Sequence, residues 1–178
     1  MKAAGGDFLK TTCITVLGSG FAPFAPGSWG SLTALMIYVG LVFALRALGQ
    51  SQVVLETCTI MGVLLACMLS VIWGEWAIAQ FGSKDPKPFV LDEFAGQWTA
   101  MLFMPVAIGL SREYFAFLFV QLFLFRLLDV IKPPPARQFE RLPAGWGVLL
   151  DDVMAGIYAN LLGQLIWRLS PLAGWLQG

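Results

Sequence analysis

The stretch FRLLDVIKPPPARQFERLPAGWGVLLDDVMAG, residues 125–156, decides the fold because it joins two apolar segments through a short charged turn. Three consecutive prolines at 133–135 end the first apolar segment, since proline removes a backbone donor and clashes with the preceding helical turn. Its charged residues are Arg126, Asp129, Lys132, Arg137, Glu140, Arg141, Asp151 and Asp152. Charges that persist in a largely apolar chain usually bind or react with something, so this stretch also indicates a functional site.

The composition predicts a membrane protein. The 178 residues are 58% hydrophobic and 12% charged, and the mean hydropathy is +0.75. We therefore expect one membrane-embedded domain over residues 1–178, with an all-α, polytopic helical bundle as its fold. The net charge is zero, so no global field draws the chain to nucleic acid. Because the chain has no histidine, serine–histidine hydrolysis and histidine-ligated metals are excluded.

About five apolar segments are long enough to approach the roughly 20 residues of a membrane span. They cover residues 31–48, 53–81, 94–110, 115–131 and 148–169. Each span takes the chain to the other side of the membrane, so the loops before the first, third and fifth spans all lie on the same side. These loops carry most lysine and arginine residues, and the positive-inside rule therefore predicts that their charges converge at the cytoplasmic face.

The first of these loops contains the glycine-rich segment GSGFAPFAPGSWGS, residues 18–31. Glycines allow backbone N–H groups to turn toward an anion, and hydroxyls near a helix N-terminus can assist them. We expect Ser19 and Ser28 to contact a substrate. The alternative is a flexible interfacial loop whose following helix is capped by Ser31.

The second loop ends in Asp92 and Glu93, which precede the third span. One acidic residue there would be explained by the dipole at a helix N-terminus. Two adjacent carboxylates, followed by Gln97 on the same helical face as Glu93, favour a functional role instead.

The third loop is flanked by further charged residues. Arg126, Asp129 and Lys132 are spaced by three, so both cations can flank the carboxylate along one side of a helix; a salt-bridge ladder is the alternative. We expect the proline-stiffened exit to aim Arg137 and Arg141 toward the same face.

The fifth span begins with two adjacent aspartates, Asp151 and Asp152. Adjacent residues splay about 100° apart on a helix, so we expect these two to serve different neighbours. Asp152 shares a stripe with Gly156 and Asn160, and small residues on such a stripe allow close helix packing.

Together the loops and the adjoining span ends offer five carboxylates on one face without histidine or cysteine ligands, namely Asp92, Glu93, Asp129, Asp151 and Asp152. Hard oxygen ligands of this kind select Mg²⁺ or a similar ion. The neighbouring arginines and lysines supply the complement that a phosphate group needs.

Three blocks of the sequence resemble the phosphatidylglycerophosphatase A family of bacterial membrane enzymes. They are GSGFAPFAPGSWGSL at 18–32, KDPKPFVLDEFAGQWT at 84–99 and the stretch 125–156 quoted above. The resemblance implies Mg²⁺-dependent hydrolysis of phosphatidylglycerophosphate to phosphatidylglycerol and phosphate, at the cytoplasmic face of the inner membrane. Ser28 stands where the family commonly has threonine, which retains the hydroxyl.

The resulting hypothesis assigns a role to each group of residues. Asp92, Glu93, Asp151 and Asp152 are the expected metal ligands, and the expected catalytic residues are Asp92, Glu93, Asp129 and Asp152. The expected substrate-binding residues are Ser19, Ser28, Arg126, Lys132, Arg137 and Arg141. Whether water or an aspartate attacks phosphorus is left open, with Asp129 as general base, metal ligand or orienting group.

Two readings from other classes remain at this point. A small membrane transporter or ion channel would use Glu75, Asp92 and Asp129 along an ion pathway, but it leaves the basic proline-rich turn unexplained. A non-catalytic membrane scaffold has no need of five converging carboxylates. Transfer of a phosphoalcohol is disfavoured because its DGxxAR signature is absent.

Overall fold

The computed structural model describes residues 4–83, 85–105, 111–139, 142 and 145–169, and over these residues the regular structure is entirely helical. This confirms the predicted all-α fold. The helices are α1 (Ala4–Ile14), α2 (Pro26–Ala47), α3 (Gln52–Phe81), α4 (Leu91–Ala100), α5 (Arg112–Ile131), α6 (Ala136–Phe139) and α7 (Gly145–Leu169).

Four helices are long and apolar enough to cross a membrane: α2, α3, α5 and, over Trp146–Leu169, α7. They correspond to the first, second, fourth and fifth predicted spans. The first begins five residues earlier than predicted, with Pro26 in the first helical turn, where its fixed φ and missing N–H are tolerated. The alternative in which Ser31 caps this helix is therefore wrong, because Ser31 lies buried inside α2.

The predicted third span, residues 94–110, is largely replaced by the ten-residue helix α4 and a non-helical continuation. Residues 106–110 lie outside the described part of the chain. After α4, the backbone N–H of Phe103 donates to Glu56 Oε2 at 3.0 Å, and Glu56 lies near the start of α3. Residues 91–103 therefore run from the middle of α3, where Leu91 shares a cavity with Ala66 and Leu69, toward the start of α3 at Glu56.

The short helix α4 is stabilised by long-range hydrogen bonds. Asn160 of α7 donates its side-chain amide to the carbonyls of Ala100 and Leu102, at 3.0 and 2.6 Å. Trp98 donates its indole N–H to the carbonyl of Ala34 in α2 at 2.9 Å. Backbone that leaves a helix at membrane depth is tolerated where protein groups satisfy it, and these contacts provide that environment.

Two glycines bring α4 and α7 into close contact. A Cβ on Gly156 of α7 would overlap the carbonyl oxygen of Gly96, and one on Gly96 would lie 2.6 Å from the carbonyl oxygen of Asp152. The predicted stripe of Asp152, Gly156 and Asn160 thus does face a packed helix. This contact places the first turn of α4 beside the first turns of α7.

Candidate active site

Three carboxylates converge where α4 meets α7. Asp92, Glu93 and Asp152 each offer an oxygen, and these oxygens lie within 4.8 Å of one another. Asp92 and Asp152 are buried, and Glu93 Oε2 is buried without a hydrogen-bond partner among the described residues, although the rest of the residue is partly exposed. A buried carboxylate oxygen without a partner is costly. An oxygen-preferring cation such as Mg²⁺ fits this donor set and would remove the cost.

Electrostatics at the start of α4 also favour a cation. Burial raises the pKa of the Asp92 carboxyl well above its ordinary value, and the charge of neighbouring Glu93 raises it further. Burial likewise raises the pKa of Glu93, while the Arg126 guanidinium acts in the opposite direction. Carboxylates held this close repel each other unless a positive charge lies between them.

The two adjacent aspartates of α7 serve different neighbours, as predicted. Asp152 joins the converging group, whereas Asp151 Oδ2 lies 2.7 Å from Lys132 Nζ. Asp151 Oδ1 also accepts the backbone N–H of Asp152 at 3.1 Å. Asp151 therefore lines the site while its carboxylate is held toward α5.

Lys132 occupies an unusual backbone conformation at the end of α5. Its φ of 48° and ψ of 66° lie in the left-handed region, which costs a non-glycine residue roughly 1–2 kcal/mol. The sequence spacing suggested Asp129 as the carboxylate flanked by both cations, and the structure pairs Lys132 with Asp151. The turn in the backbone at Lys132 helps to explain this difference, because the residue no longer continues the helical face of Asp129.

Arg126 connects three elements of the site. Its Nη1 lies 3.0 Å from Asp129 Oδ2 and donates to Ser31 Oγ of α2 at 3.3 Å. A Cβ on Gly27 would overlap Glu93 Oε1 and lie 3.2 Å from the Arg126 guanidinium. Gly27 thus allows the first turn of α2 to approach Glu93 and Arg126 closely, a requirement that sequence spacing alone did not reveal.

The glycine-rich segment packs against the second loop. A Cβ on Gly20 would overlap the carbonyl oxygen of Pro88, and one on Gly30 would lie 2.7 Å from Val90 Cβ. Ser19 donates its hydroxyl to the carbonyl of Thr15 at 3.1 Å, and Ser28 is exposed. Neither Ser19 nor Ser28 lines the carboxylate cavity. Ser31, one turn further along α2, is the serine that accepts a hydrogen bond from the guanidinium of Arg126.

The carboxylates line a cavity of about 290 Å³. Its lining residues are Asp85, Asp92, Glu93, Asp129, Val130, Lys132, Val148, Asp151 and Asp152. Asp85 also lines the cavity, although the sequence analysis did not assign it to the site. Its position in the loop before α4 was the one sequence signal that could have indicated this. Arg137 is exposed on α6 and Glu75 is exposed on α3, and neither lines this cavity. The predicted substrate contact Arg141 lies outside the described residues.

These features define a class of protein: a helical membrane protein with a group of carboxylates that could hold a cation, beside residues that can bind phosphate. The sequence profile of the family PgpA, phosphatidylglycerophosphatase A, matches residues 12–167. The chain belongs to the phosphatidylglycerophosphatase A family and is a phosphatase.

Relatives from three bacteria agree with this membership. A phosphatidylglycerophosphatase A of Haemophilus influenzae is 36% identical over 82% of this chain and 80% of its own length. The phosphatidylglycerophosphatase A of Escherichia coli is 33% identical over 87% of this chain and 81% of its own length. A Bacteroides thetaiotaomicron protein, provisionally named a phosphatidylinositol-3-phosphatase, is 34% identical over 88% of this chain and 92% of its own length. No solved structure matches the chain.

Proposed function

We propose that this protein is a Mg²⁺-dependent phosphatase that converts phosphatidylglycerophosphate to phosphatidylglycerol and inorganic phosphate. The observation that carries the proposal is the convergence of Asp92, Glu93 and Asp152 beside Arg126 and Lys132. The family and two relatives named for this activity support the choice of substrate. The reaction would belong to phosphatidylglycerol biosynthesis, and the whole chain would form one domain in the bacterial inner membrane with its site facing the cytoplasm.

Asp92, Glu93 and Asp152 would hold the ion. A bound Mg²⁺ supplies Lewis-acid stabilisation of phosphoryl oxygens. Asp151, which was also expected to be a ligand, would act by fixing its neighbour, because it accepts the backbone N–H of Asp152. Its second oxygen would keep Lys132 in place.

Arg126 and Lys132 would bind the phosphate. Both approach the carboxylate group, from the body and the end of α5, and both are already oriented by carboxylates, Asp129 and Asp151. Charge-assisted hydrogen bonds to phosphate oxygens strengthen as negative charge develops on them during transfer. Ser19, Ser28, Arg137 and Arg141 remain predictions as contacts to the rest of the headgroup.

Asp129 is the proposed proton acceptor. It lines the cavity, interacts with Asp152 and is held by Arg126, but it is not one of the three converging ligands. The water oxygen would bond to phosphorus as the bond from phosphorus to the glycerol oxygen breaks. Asp129 would take a proton from that water and pass it to the departing glycerol oxygen, which leaves as a hydroxyl group. The competing route is a covalent phosphate on an aspartate, which a brief reaction with ³²P-labelled substrate and acid quenching would trap on the protein.

A second substrate class deserves a direct comparison because one relative is named for it. The Bacteroides thetaiotaomicron protein matches over most of both chains, and its name specifies phosphatidylinositol 3-phosphate rather than phosphatidylglycerophosphate. The carboxylate site could serve either monoester, since both present a terminal phosphate on a lipid headgroup.

The test is release of inorganic phosphate by the purified protein in mixed micelles. We expect turnover of phosphatidylglycerophosphate that requires Mg²⁺ and is at least tenfold faster than turnover of phosphatidylinositol 3-phosphate. Faster turnover of the inositol lipid would transfer the proposal to that substrate. No turnover of either lipid with Mg²⁺ present would refute the proposed function.

A further inference from the structure

An apolar groove lies on the outside of the bundle, next to the candidate active site. It has a volume of about 470 Å³ and lies between α5, the proline turn and α7. Leu128 and Pro133 form one wall, and Tyr158, Leu161, Leu162 and Leu165 form the other. Leu161 and Leu165 are exposed, so the groove opens toward the surrounding hydrocarbon.

The end of the groove formed by Pro133 and Tyr158, here called its upper end, adjoins the ion pair between Lys132 and Asp151. Lys132 immediately precedes Pro133 and lies one helical turn after Leu128, and its ammonium group contacts Asp151. On α7 the positions 151, 158, 162 and 165 share one face, because their spacings of seven, four and three residues follow the helical repeat. The groove therefore runs down the same face of α7 that carries Asp151 at its top.

The depth of the groove suits a lipid chain. On α7 the groove is lined from Tyr158 to Leu165, which is about 10 Å along the helix axis at 1.5 Å per residue. The hydrocarbon of one leaflet is roughly half of the 30 Å core, so the groove spans about two thirds of that depth. Tyr158 fixes the upper wall, since its hydroxyl donates to the carbonyl of Pro134 at 2.9 Å.

We propose that this groove binds one acyl chain of the phospholipid substrate and so determines which lipids reach the site. The proposal rests on the proposed lipid phosphatase function. A substrate whose phosphate contacts Lys132 has its glycerol backbone at the head of the groove, and the adjacent chain then lies along α7. The groove adjoins a cation of the site, because its lining residue Pro133 directly follows Lys132.

A second apolar cavity, of about 310 Å³, offers the competing route. It lies between α1, α3 and α4 and is lined by residues such as Cys13, Leu65 and Trp98. Its lining residues Leu91 and Phe94 flank the carboxylates Asp92 and Glu93, but none is next in sequence to Arg126 or Lys132. An acyl chain in this cavity would enter from the opposite side of α4.

The test fills each cavity with a larger side chain. Leu162→Trp fills the groove, Leu65→Trp fills the second cavity, and Leu64→Trp is the matched control because Leu64 is exposed on α3 and lines neither. Each purified variant is assayed on a long-chain substrate and on its six-carbon-chain analogue. A six-carbon chain that starts at the ion pair ends before Leu162, which lies about 16 Å along the helix axis.

We expect Leu162→Trp to lower kcat/KM for the long-chain lipid about tenfold or more and to leave the short-chain lipid within about twofold, a difference of about 1.4 kcal/mol in transition-state binding. The two α3 variants should resemble the wild type. Unchanged long-chain turnover by Leu162→Trp, or an equal loss on both lipids, would overturn the proposal. A wild-type protein inactive on both lipids would instead refute the proposed function.

Photolabelling the wild-type protein provides a test that does not depend on a folded variant. A substrate analogue with a diazirine near the end of one acyl chain should label peptides containing residues 158–165 of α7, and unlabelled substrate should suppress the label. Labelling confined to residues 62–69 of α3 would place the chain in the second cavity and contradict the proposal.

Discussion

Lys132 Nζ lies 2.7 Å from Asp151 Oδ2, so one aspartate of the adjacent pair in α7 is held toward α5 while the other faces α4. Asp152 is the member whose carboxylate converges with those of Asp92 and Glu93. This division gives the two aspartates different expected roles. It also ties the cation at the end of α5 directly to the first turns of α7.

Asp151→Asn should weaken substrate binding without weakening metal binding. Loss of the charge that orients Lys132 should raise KM about tenfold or more, as expected for a charge-assisted hydrogen bond of ~1.5–3 kcal/mol. The Mg²⁺ concentration for half-maximal activity should stay within about twofold. Asp152→Asn is the comparison variant and should shift that concentration strongly; the same shift in both variants would show that both aspartates hold the ion.

Gly27→Ala should damage the site through crowding. The added methyl would overlap Glu93 Oε1 and press on the Arg126 guanidinium, so we expect turnover to fall about tenfold, equivalent to ~1.4 kcal/mol. The matched control is Gly40→Ala in the same helix, where an added Cβ meets nothing within 4 Å. That variant should keep full activity and gain up to ~1 kcal/mol of stability. Wild-type turnover of Gly27→Ala would show that α2 does not approach Glu93 this closely.

Asn160→Ala should destabilise the end of α4. It removes the amide that donates to the carbonyls of Ala100 and Leu102, and a buried acceptor left without a donor costs ~1–3 kcal/mol. For a chain of this size each kcal/mol lowers Tm by about 2–4 °C, measured in detergent by circular dichroism. Leu161→Ala, an exposed neighbour, is the control. Equal Tm values for the wild type and Asn160→Ala would contradict the proposed capping of α4.

Single cysteines can test the orientation of the bundle. The native residues Cys13, Cys58 and Cys67 do not line the carboxylate cavity, so a thiol-free background should retain activity within a few-fold. In that background, Gln138→Cys on α6 should be shielded from impermeant reagents outside intact cells. Gln50→Cys, exposed beyond α2 at the opposite end, should react. The reverse pattern would place the site on the outer face.

The order of the long helices could be predicted from the sequence because a membrane span needs a continuous apolar run, and such runs are visible without tertiary information. The convergence of Asp92, Glu93 and Asp152 could be predicted because each span reverses the side of the membrane, which places alternate loops on the same face. The separate roles of Asp151 and Asp152 followed from the 100° step between adjacent helical residues.

Other features depend on contacts between residues far apart in sequence. The end of α4 could not be predicted because residues 94–110 are mostly apolar, with Gln97 and Thr99 as polar exceptions, and the donor that completes its last turn is Asn160 of α7. Ser31 resembled a cap, and only the packing of α2 on α5 shows it accepting from Arg126. The pairing of Lys132 with Asp151 likewise depends on a left-handed residue before Pro133, which helical spacing does not anticipate.

The central claim is that Asp92, Glu93 and Asp152 form one divalent-cation site that supports catalysis, and the most direct measurement is turnover of Asp92→Asn and Asp152→Asn across a Mg²⁺ titration. Asparagine keeps the size of the side chain and removes the charge that a hard cation needs. We expect each variant to fold with wild-type Tm within a few degrees and to lose about a thousandfold or more in turnover, since the loss of several kcal/mol of transition-state stabilisation has that effect. Glu113→Gln, at the opposite end of α5, is the charge-matched control and should be fully active. Two folded variants that each keep more than half of the wild-type turnover at saturating Mg²⁺ would contradict the claim.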